Sequence, residues 1–345
     1  MTTRRVLINA AAVAALVIGL LFLWHARDVL LLVFAGTLSG IFLRRLARLI
    51  SDHAPVPAPV ALALVLLVLT GALVTAFWLQ GDRIAAESAR LREELPRAMD
   101  QLRAQIAGYE LGEDLMEALP EDPAALLPDE PDAVSQVTGV VSRTFSALAS
   151  GVVILFLGIV FAATPGIYVN GILALFPEHR VPRMREVLAK LDDTLWWWLI
   201  GRLIAMTFIG VVTGVGLAVL GVPLAFILGL LAALLSFIPN LGPILSALPA
   251  VLLGLVQGPQ TALWVAALYA GVQVVESYLL DPIIDRKTIY LPPAFTITMQ
   301  LIMALFAGLL GVTLATPLAA AMVVLVTMLY VQDVLGRDDI RVRSH

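Results

Sequence analysis

Ser236-Phe237-Ile238-Pro239-Asn240-Leu241-Gly242-Pro243-Ile244 interrupts a long apolar run with two prolines, a glycine and an asparagine. Proline removes a backbone donor and glycine loosens a helix, so this break frees carbonyl and amide groups that hydrocarbon cannot satisfy. Non-helical backbone at membrane depth persists only where it is buried in protein or lines a wet cavity. The stretch therefore reads as a pathway element of an all-α, polytopic membrane protein.

The flanking pieces support that reading. Leu224 to Ile238 and Ile244 to Val256 would each extend roughly 20–23 Å as helix, short of the ~30 Å hydrocarbon core. They predict either a re-entrant pair or two tilted short spans. A full-length span follows from Thr261 to Leu280, ending at Asp281 and Pro282. The device then recurs: Phe295 to Leu310, a break at Gly308, Gly311 and Pro317, and Leu318 to Val331. Paired Gly/Pro-interrupted segments are the best sequence pointer to a transporter's binding site.

Composition agrees. The chain has 345 residues, 60% of them hydrophobic and 14% charged, with a mean hydropathy of +0.94. A soluble domain is nearer ~45–50% apolar and ~25% charged. Cysteine is absent, which excludes disulfides and thiol chemistry. The net charge of −4 is uneven: residues 82–143 carry 6 arginines against 14 acids, a net of −8, leaving +4 on the remainder. No basic face interleaved with aromatics is present, so nucleic acid is not an expected partner.

Upstream, Arg4 and Arg5 precede an apolar run from Val6 to Trp24, and a second run, Val29 to Leu43, begins after only His25 to Asp28. No small-residue cleavage site follows the first run, so a signal peptide is rejected. Two spans or a tight hairpin are expected, with Arg44, Arg45 and Arg48 marking the return. Val60 to Leu79 forms a third apolar segment after Pro55, Pro57 and Pro59.

From Gly81 the apolar residues Ile84, Leu91, Leu95, Leu102 and Ile106 are spaced as on an amphipathic helix, which Pro96 is expected to kink or divide. With a proline-rich acidic loop from Pro120 to Pro131 it makes a small extramembrane helical module. Its function reads as oligomer contact or gating on one side, a solvated helical hairpin on the other. A fourth span from Ser146 ends at Thr164-Pro165-Gly166. The charged segment Glu178 to Asp193, with Met184, Leu188, Leu191 and Leu195 on one face, is expected to lie along the membrane surface. Trp196, Trp197 and Trp198 fall where interfacial anchors belong. In the next span Gly210, Gly214 and Gly216 are spaced for close helix packing. The expected divisions are 1–80 for the N-terminal membrane segments, 81–145 for the extramembrane module, 146–335 for a membrane core and 336–345 for a tail.

Short-loop charge predicts orientation. Placing Arg4 and Arg5 in the cytoplasm puts there Arg44, Arg45 and Arg48, then Arg180, Arg183, Arg185 and Lys190, then Arg286 and Lys287, and finally Arg337, Arg341 and Arg343. Only Arg27 falls in an outer short loop. By the positive-inside rule both termini are cytoplasmic and the acidic module lies on the outer face.

From Gly201 onward an ordered set of motifs resembles the autoinducer-2 exporter (AI-2E, PerM-like) family of bacterial permeases. It comprises Gly201-Arg202-Leu203, Gly221-Val222-Pro223, Ile238-Pro239-Asn240-Leu241-Gly242-Pro243, Gln273, Glu276 and Pro282, Leu291 and Pro293, and Gly308, Gly311, Ala315 and Pro317-Leu318-Ala319. Arg202 departs from the family's usual glutamine, Arg286 from its glycine, and Tyr278 from a common asparagine. The resemblance implies a multispanning inner-membrane permease and homo-oligomers, with some relatives described as sodium/proton antiporters.

Glu276 is the leading candidate, because an ionised carboxylate inside a span needs a partner, a wet cavity or a proton. It reads either as a proton or substrate contact, or as a structural partner of Arg286 or Lys287. Gln273, one turn earlier, is its natural neighbour. Arg202 reads with the tryptophans as a snorkelling interfacial anchor. Asn240 either satisfies the freed backbone or touches a polar solute. Pro239, Gly242, Pro243 and Pro317 complete the expected pathway set; Asn170, Ser236, Ser246 and Gln300 are weaker candidates. The four histidines are scattered and no phosphate-binding loop occurs, so no metal, cofactor or catalytic residue is assigned. The expectation is about eight spanning or re-entrant units that export a small polar solute, with proton coupling. The alternatives are monovalent cation/proton antiport and a non-transporting membrane scaffold.

Overall fold

The computed structural model describes the backbone of residues 3–106, 137–285 and 291–337, and the side chains of 24–101, 149–283 and 291–337. Among the described residues every element is helical. Five helices are long and apolar enough to cross a membrane, or six if the bent pair at residues 149–173 counts as one span. The loop at 120–131, Arg286, Lys287, and the tail arginines Arg341 and Arg343 lie outside the described residues.

The expected N-terminal hairpin is not formed. Thr3–His53 is one 51-residue helix, α1. The residues between the two apolar runs, His25 to Asp28, include neither proline nor glycine. They stay helical, with Arg27 stacked 4.5 Å over the Trp24 ring. Arg4 and Arg44 therefore sit at opposite ends of a single rod, and the orientation argument loses its first pair of arginines. The helix α2, Ala58–Ile106, likewise runs without interruption through position 80 and through Pro96. Its second half, as far as Ile106, is continuous with the span.

Val137–Ala163 forms α3, which ends at Thr164 as expected, and Pro165–Leu173 forms α4 at 80° to it. Val181–Val219 is α5. The charged segment expected to lie on the membrane surface is instead its first part. The reason is packing: Met184 and Val187 bury against Leu173, Val324 and Met328, so that apolar face meets protein and not lipid. Ala225–Leu235 (α6) and Leu241–Gln257 (α7) flank the sequence break. Pro259–Val275 is α8, followed by a π turn at Glu276–Leu280 and the short α9, Asp281–Asp285. Pro293–Leu325 is α10, which continues into a π turn at Val326–Gln332.

One end of the bundle is fixed by charge. Arg44 of α1 donates to Asp192 of α5 at 2.6 Å, Arg45 grips both Asp192 and Asp193, and Arg183 donates to Asp333 at 3.0 Å. These contacts gather Arg44, Arg45 and Arg183 at one end, which we call the charged end.

The hairpin α6–α7 enters from the opposite end. Its two feet meet where the Gln257 amide donates to the Gly221 carbonyl at 2.8 Å. From there α6 runs back along α5 on a seam of small residues, where Gly229 lies against the backbone of Gly214 and Gly210 against Ala233. The hairpin's tip comes level with Arg202, ten residues beyond Asp192, which is about 15 Å along α5. Both feet thus lie at one end of the bundle and the tip inside it, the geometry of a re-entrant pair.

The second device has the opposite sense. The helical path breaks at Ala307 (φ −145°, ψ 22°) and Gly308 (φ 56°, ψ −140°). The chain then folds back so closely that a Cβ on Gly311 would strike the Met303 carbonyl, although eight residues of straight helix would separate them by about 12 Å. Phe306 at the tip packs edge-on to Trp24 at 5.3 Å, while the far foot reaches Arg183 at the charged end. Pro317 is not a break: it is fully buried inside the returning half of α10.

The third glycine of the α5 series faces a softer neighbour. A Cβ at Gly216 would lie 2.6 Å from the Leu268 methyls, the mobile end of a side chain. Leucine can turn aside, and alanine gains ~0.5–1 kcal/mol of helix propensity over glycine. Gly216→Ala is therefore expected to leave stability within about 1 kcal/mol of the parent, read from the midpoint of SDS-driven unfolding in mixed micelles.

Candidate functional site

The break that hydrocarbon should not tolerate is satisfied by protein. Pro243 stands in the first turn of α7, where no helical N–H is required of it. Phe237 and Ile238 donate back to Leu234 and Leu235 at 3.2 and 3.0 Å, closing the end of α6. The Phe237 carbonyl accepts from Arg202 Nε at 3.2 Å, and the Pro239 carbonyl accepts from the Gln300 amide at 2.9 Å. One donor thus comes from α5 and the other from the outgoing half of the opposed hairpin.

Gly242 permits the tight turn, since a Cβ there would run into the Leu235 carbonyl. Asn240 takes a positive φ of 67°, which asparagine tolerates better than most residues. Its side chain makes no capping bond and is exposed. The reading in which Asn240 satisfies the freed backbone is overturned, because Arg202 and Gln300 do so.

Arg202 is not a snorkelling anchor. It is 6% exposed, and its Nη1 donates to Glu276 Oε1 at 3.2 Å, with Glu276 itself 3% exposed. The ion pair lies wholly inside the protein because α8 places Glu276 against the α5 face that also receives the hairpin tip. Trp196 and Trp198 are likewise buried in protein contacts, Trp196 beside Phe42 at 6.0 Å and Trp198 edge-on to Phe237 at 5.7 Å. Trp197 is half-buried. The aromatic run holds α5 against α1 and against the break, so its burial argues against an interfacial belt.

Glu276 opens the π turn that ends just before Asp281-Pro282. Proline at 282 lacks an N–H and would crowd the carbonyl four residues earlier, and the wider turn relieves that conflict. Such π turns within helices concentrate at functional sites. Gln273 donates to Ser277 Oγ at 3.3 Å and, like Asp281, lies within electrostatic reach of Glu276. Asp281 lies within electrostatic reach of Arg202 as well, while the direct ion pair is with Glu276.

The constellation is incompletely satisfied. Arg202 Nη2, Glu276 Oε2 and Gln300 Oε1 are buried without a hydrogen-bond partner. One donor and two acceptors without partners thus belong to side chains that bond the break or one another. Unpaired groups so buried are costly, and the carboxylate can lower that cost by taking a proton or a polar partner. Of the sequence-derived candidates, the structure joins Glu276, Arg202 and Pro239, with Gly242 supporting the turn. Pro317 is packed within α10, and Pro243 is a helix-start residue. Gln300, ranked low from sequence, is a principal member.

Comparison with known proteins follows from this geometry. The AI-2E family transporter family matches residues 13–330. "AI-2 transport protein TqsA" of Escherichia coli is 27% identical over 191 residues, which cover 54% of each chain. "Putative transport protein YueF" of Bacillus subtilis is 33% identical over 135 residues, 39% of this chain and 37% of that one. The matched stretches thus span about half or less of these relatives, which are named for transport and not for a reaction. With the family match extending over nearly its whole length, this multispanning membrane chain belongs to the AI-2E transporter family.

Proposed function

We propose that the protein is a permease that exports a small polar solute, an autoinducer-2-like signalling molecule, with Arg202 and Glu276 on its path and a proton as coupling ion. The observation that carries this reading is the buried, half-satisfied Arg202–Glu276 pair at the tip of a re-entrant hairpin. The tip of one interrupted hairpin meets the outgoing half of the other through Gln300, and paired interrupted hairpins are where transporters hold their cargo. Glu276 can accept a proton on Oε2 without losing the Oε1 contact. That proton cancels its charge and leaves Arg202 to Asp281 or to the solute. Loss of the proton to the other side restores the pair, so solute movement and proton movement are linked through one carboxylate. With the charged end in the cytoplasm, as the positive-inside rule favours, the α6–α7 hairpin would open toward the outer face.

A second reading, monovalent cation/proton antiport, is favoured by the two free acceptors, Glu276 Oε2 and Gln300 Oε1. Proteoliposomes loaded with AI-2 under an imposed pH gradient decide between them. The expected result is gradient-driven AI-2 efflux from wild type and only downhill leakage from Glu276→Gln. Equal gradient-driven flux in the two would end the coupling proposal. Sodium-stimulated proton release without AI-2 movement would favour antiport.

A further inference from the structure

The half of α2 that follows its membrane span, residues 81–101, is built onto the foot of the re-entrant hairpin. Its Leu91, Leu95, Ala98 and Met99 are all 2% exposed or less and share a core with Ile227, Leu228, Leu252 and Leu253 of α6 and α7. At the same place α6 begins without a cap of its own. The residue at its N-cap is Leu224, in a left-handed conformation, with no side-chain bond to the first turn. The missing acceptor comes from α2: Glu87 Oε2 receives the N–H of Ile227, the third residue of α6, at 3.0 Å. This is the N–H that an N-cap side chain normally satisfies.

Arg83 braces the carboxylate. Its Nε donates to Glu87 Oε1 at 2.7 Å, and its guanidinium lies 4.4 Å over the Phe226 ring. Both oxygens of Glu87 are thus used, one by α6 and one by its own helix. The exposed pair Arg97–Glu93 farther along the same arm reaches only within α2 and offers a control.

We propose that Glu87, braced by Arg83, is a positioning residue for the re-entrant hairpin: the arm supplies the helix cap that α6 lacks and so sets the foot from which the tip reaches Arg202 and Gln300. The arm is a structural collar of the transport core, acting on the site through α6 without touching a solute. The proposal rests on the geometry of the hairpin and stands whether or not AI-2 is the cargo.

Hydrogen exchange on the full chain in lipid nanodiscs tests it without any transported solute. Losing a cap interaction shifts a local opening equilibrium by about fivefold. Glu87→Ala is expected to speed exchange by about that factor in the foot peptide 222–229 and also in the tip peptide 236–245. Glu87→Gln keeps an acceptor oxygen and should restore most of the protection, Arg83→Met should give a smaller rise in both peptides, and Arg97→Ala should change neither. A rise confined to the foot would reduce Glu87 to a local cap and overturn the positioning role. An unchanged foot would overturn the whole proposal. Should Glu87→Ala fail to assemble, Arg83→Met carries the same two criteria.

Discussion

Arg202→Met is expected to cost about 3–5 kcal/mol of stability, because it leaves Glu276 as an unpaired buried charge. Methionine matches the arginine stem in bulk, so the buried volume is largely kept and the loss is chiefly electrostatic. The same change strips the Phe237 carbonyl of its donor, a further cost of about 1–3 kcal/mol for a buried unsatisfied group. The measurement is the shift in the SDS unfolding midpoint in mixed micelles. The pair's dependence can be isolated with a second variant. In Arg202→Met/Glu276→Gln the Glu276 charge is no longer stranded, so most of the loss should be recovered, and only the shares due to the Phe237 carbonyl and to the more distant Asp281 should persist. Additive losses in the double variant would mean that the two side chains do not act as a pair. Non-additivity is the expected signature of residues in direct contact.

The partnership at the centre of this prediction was only half legible in the sequence. Glu276 stood out because it is an acid inside an apolar run, and Arg202 because it replaces the glutamine usual in the resembling family. Their joining was not legible. The two residues are 74 positions apart, and nothing local to either helix shows which face of α5 meets α8. Arg202 was read as an anchor because it follows three tryptophans, and that local context misled for a definite reason: the aromatic run is buried by α1 and by the hairpin tip. The Glu87 cap was hidden in the same way, 140 positions from its partner.

Other features failed or succeeded on local chemistry. The continuity of α1 through His25 to Asp28 follows from the absence of any breaker there: two charged residues suggest a turn between spans, but without proline or glycine the helix persists. Pro96 and Pro317 suggest breaks by residue type, yet Pro96 sits within the uninterrupted α2 and Pro317 within the returning half of α10, where neighbours bury them or the residues beside them. The Pro239–Pro243 break and the Gly308 break were legible because proline and glycine change backbone options directly. Gln300 was ranked low since a single amide in an apolar helix carries no signal of what it faces. Only the fold shows that its amide meets the Pro239 carbonyl within the break.

Gly242→Ala is expected to destabilise the tip by about 3 kcal/mol or more, the upper end for overpacking, even though alanine is the better helix former. The added methyl would collide with the Leu235 carbonyl and crowd the Ser236 Cα. Backbone cannot swing aside as the Leu268 methyls can beside Gly216. The obstruction therefore has to move the two arms of the hairpin apart. Separation at that point pulls Phe237 and Pro239 away from Arg202 and Gln300, since both donors are fixed in other helices. The change should thus reach function as well as stability: transport activity should fall together with the unfolding midpoint, while Gly216→Ala, with a methyl equally large, should leave both near the parent values. A Gly242→Ala variant with the parental midpoint would show that the arms of the hairpin are not in the close contact on which the site depends.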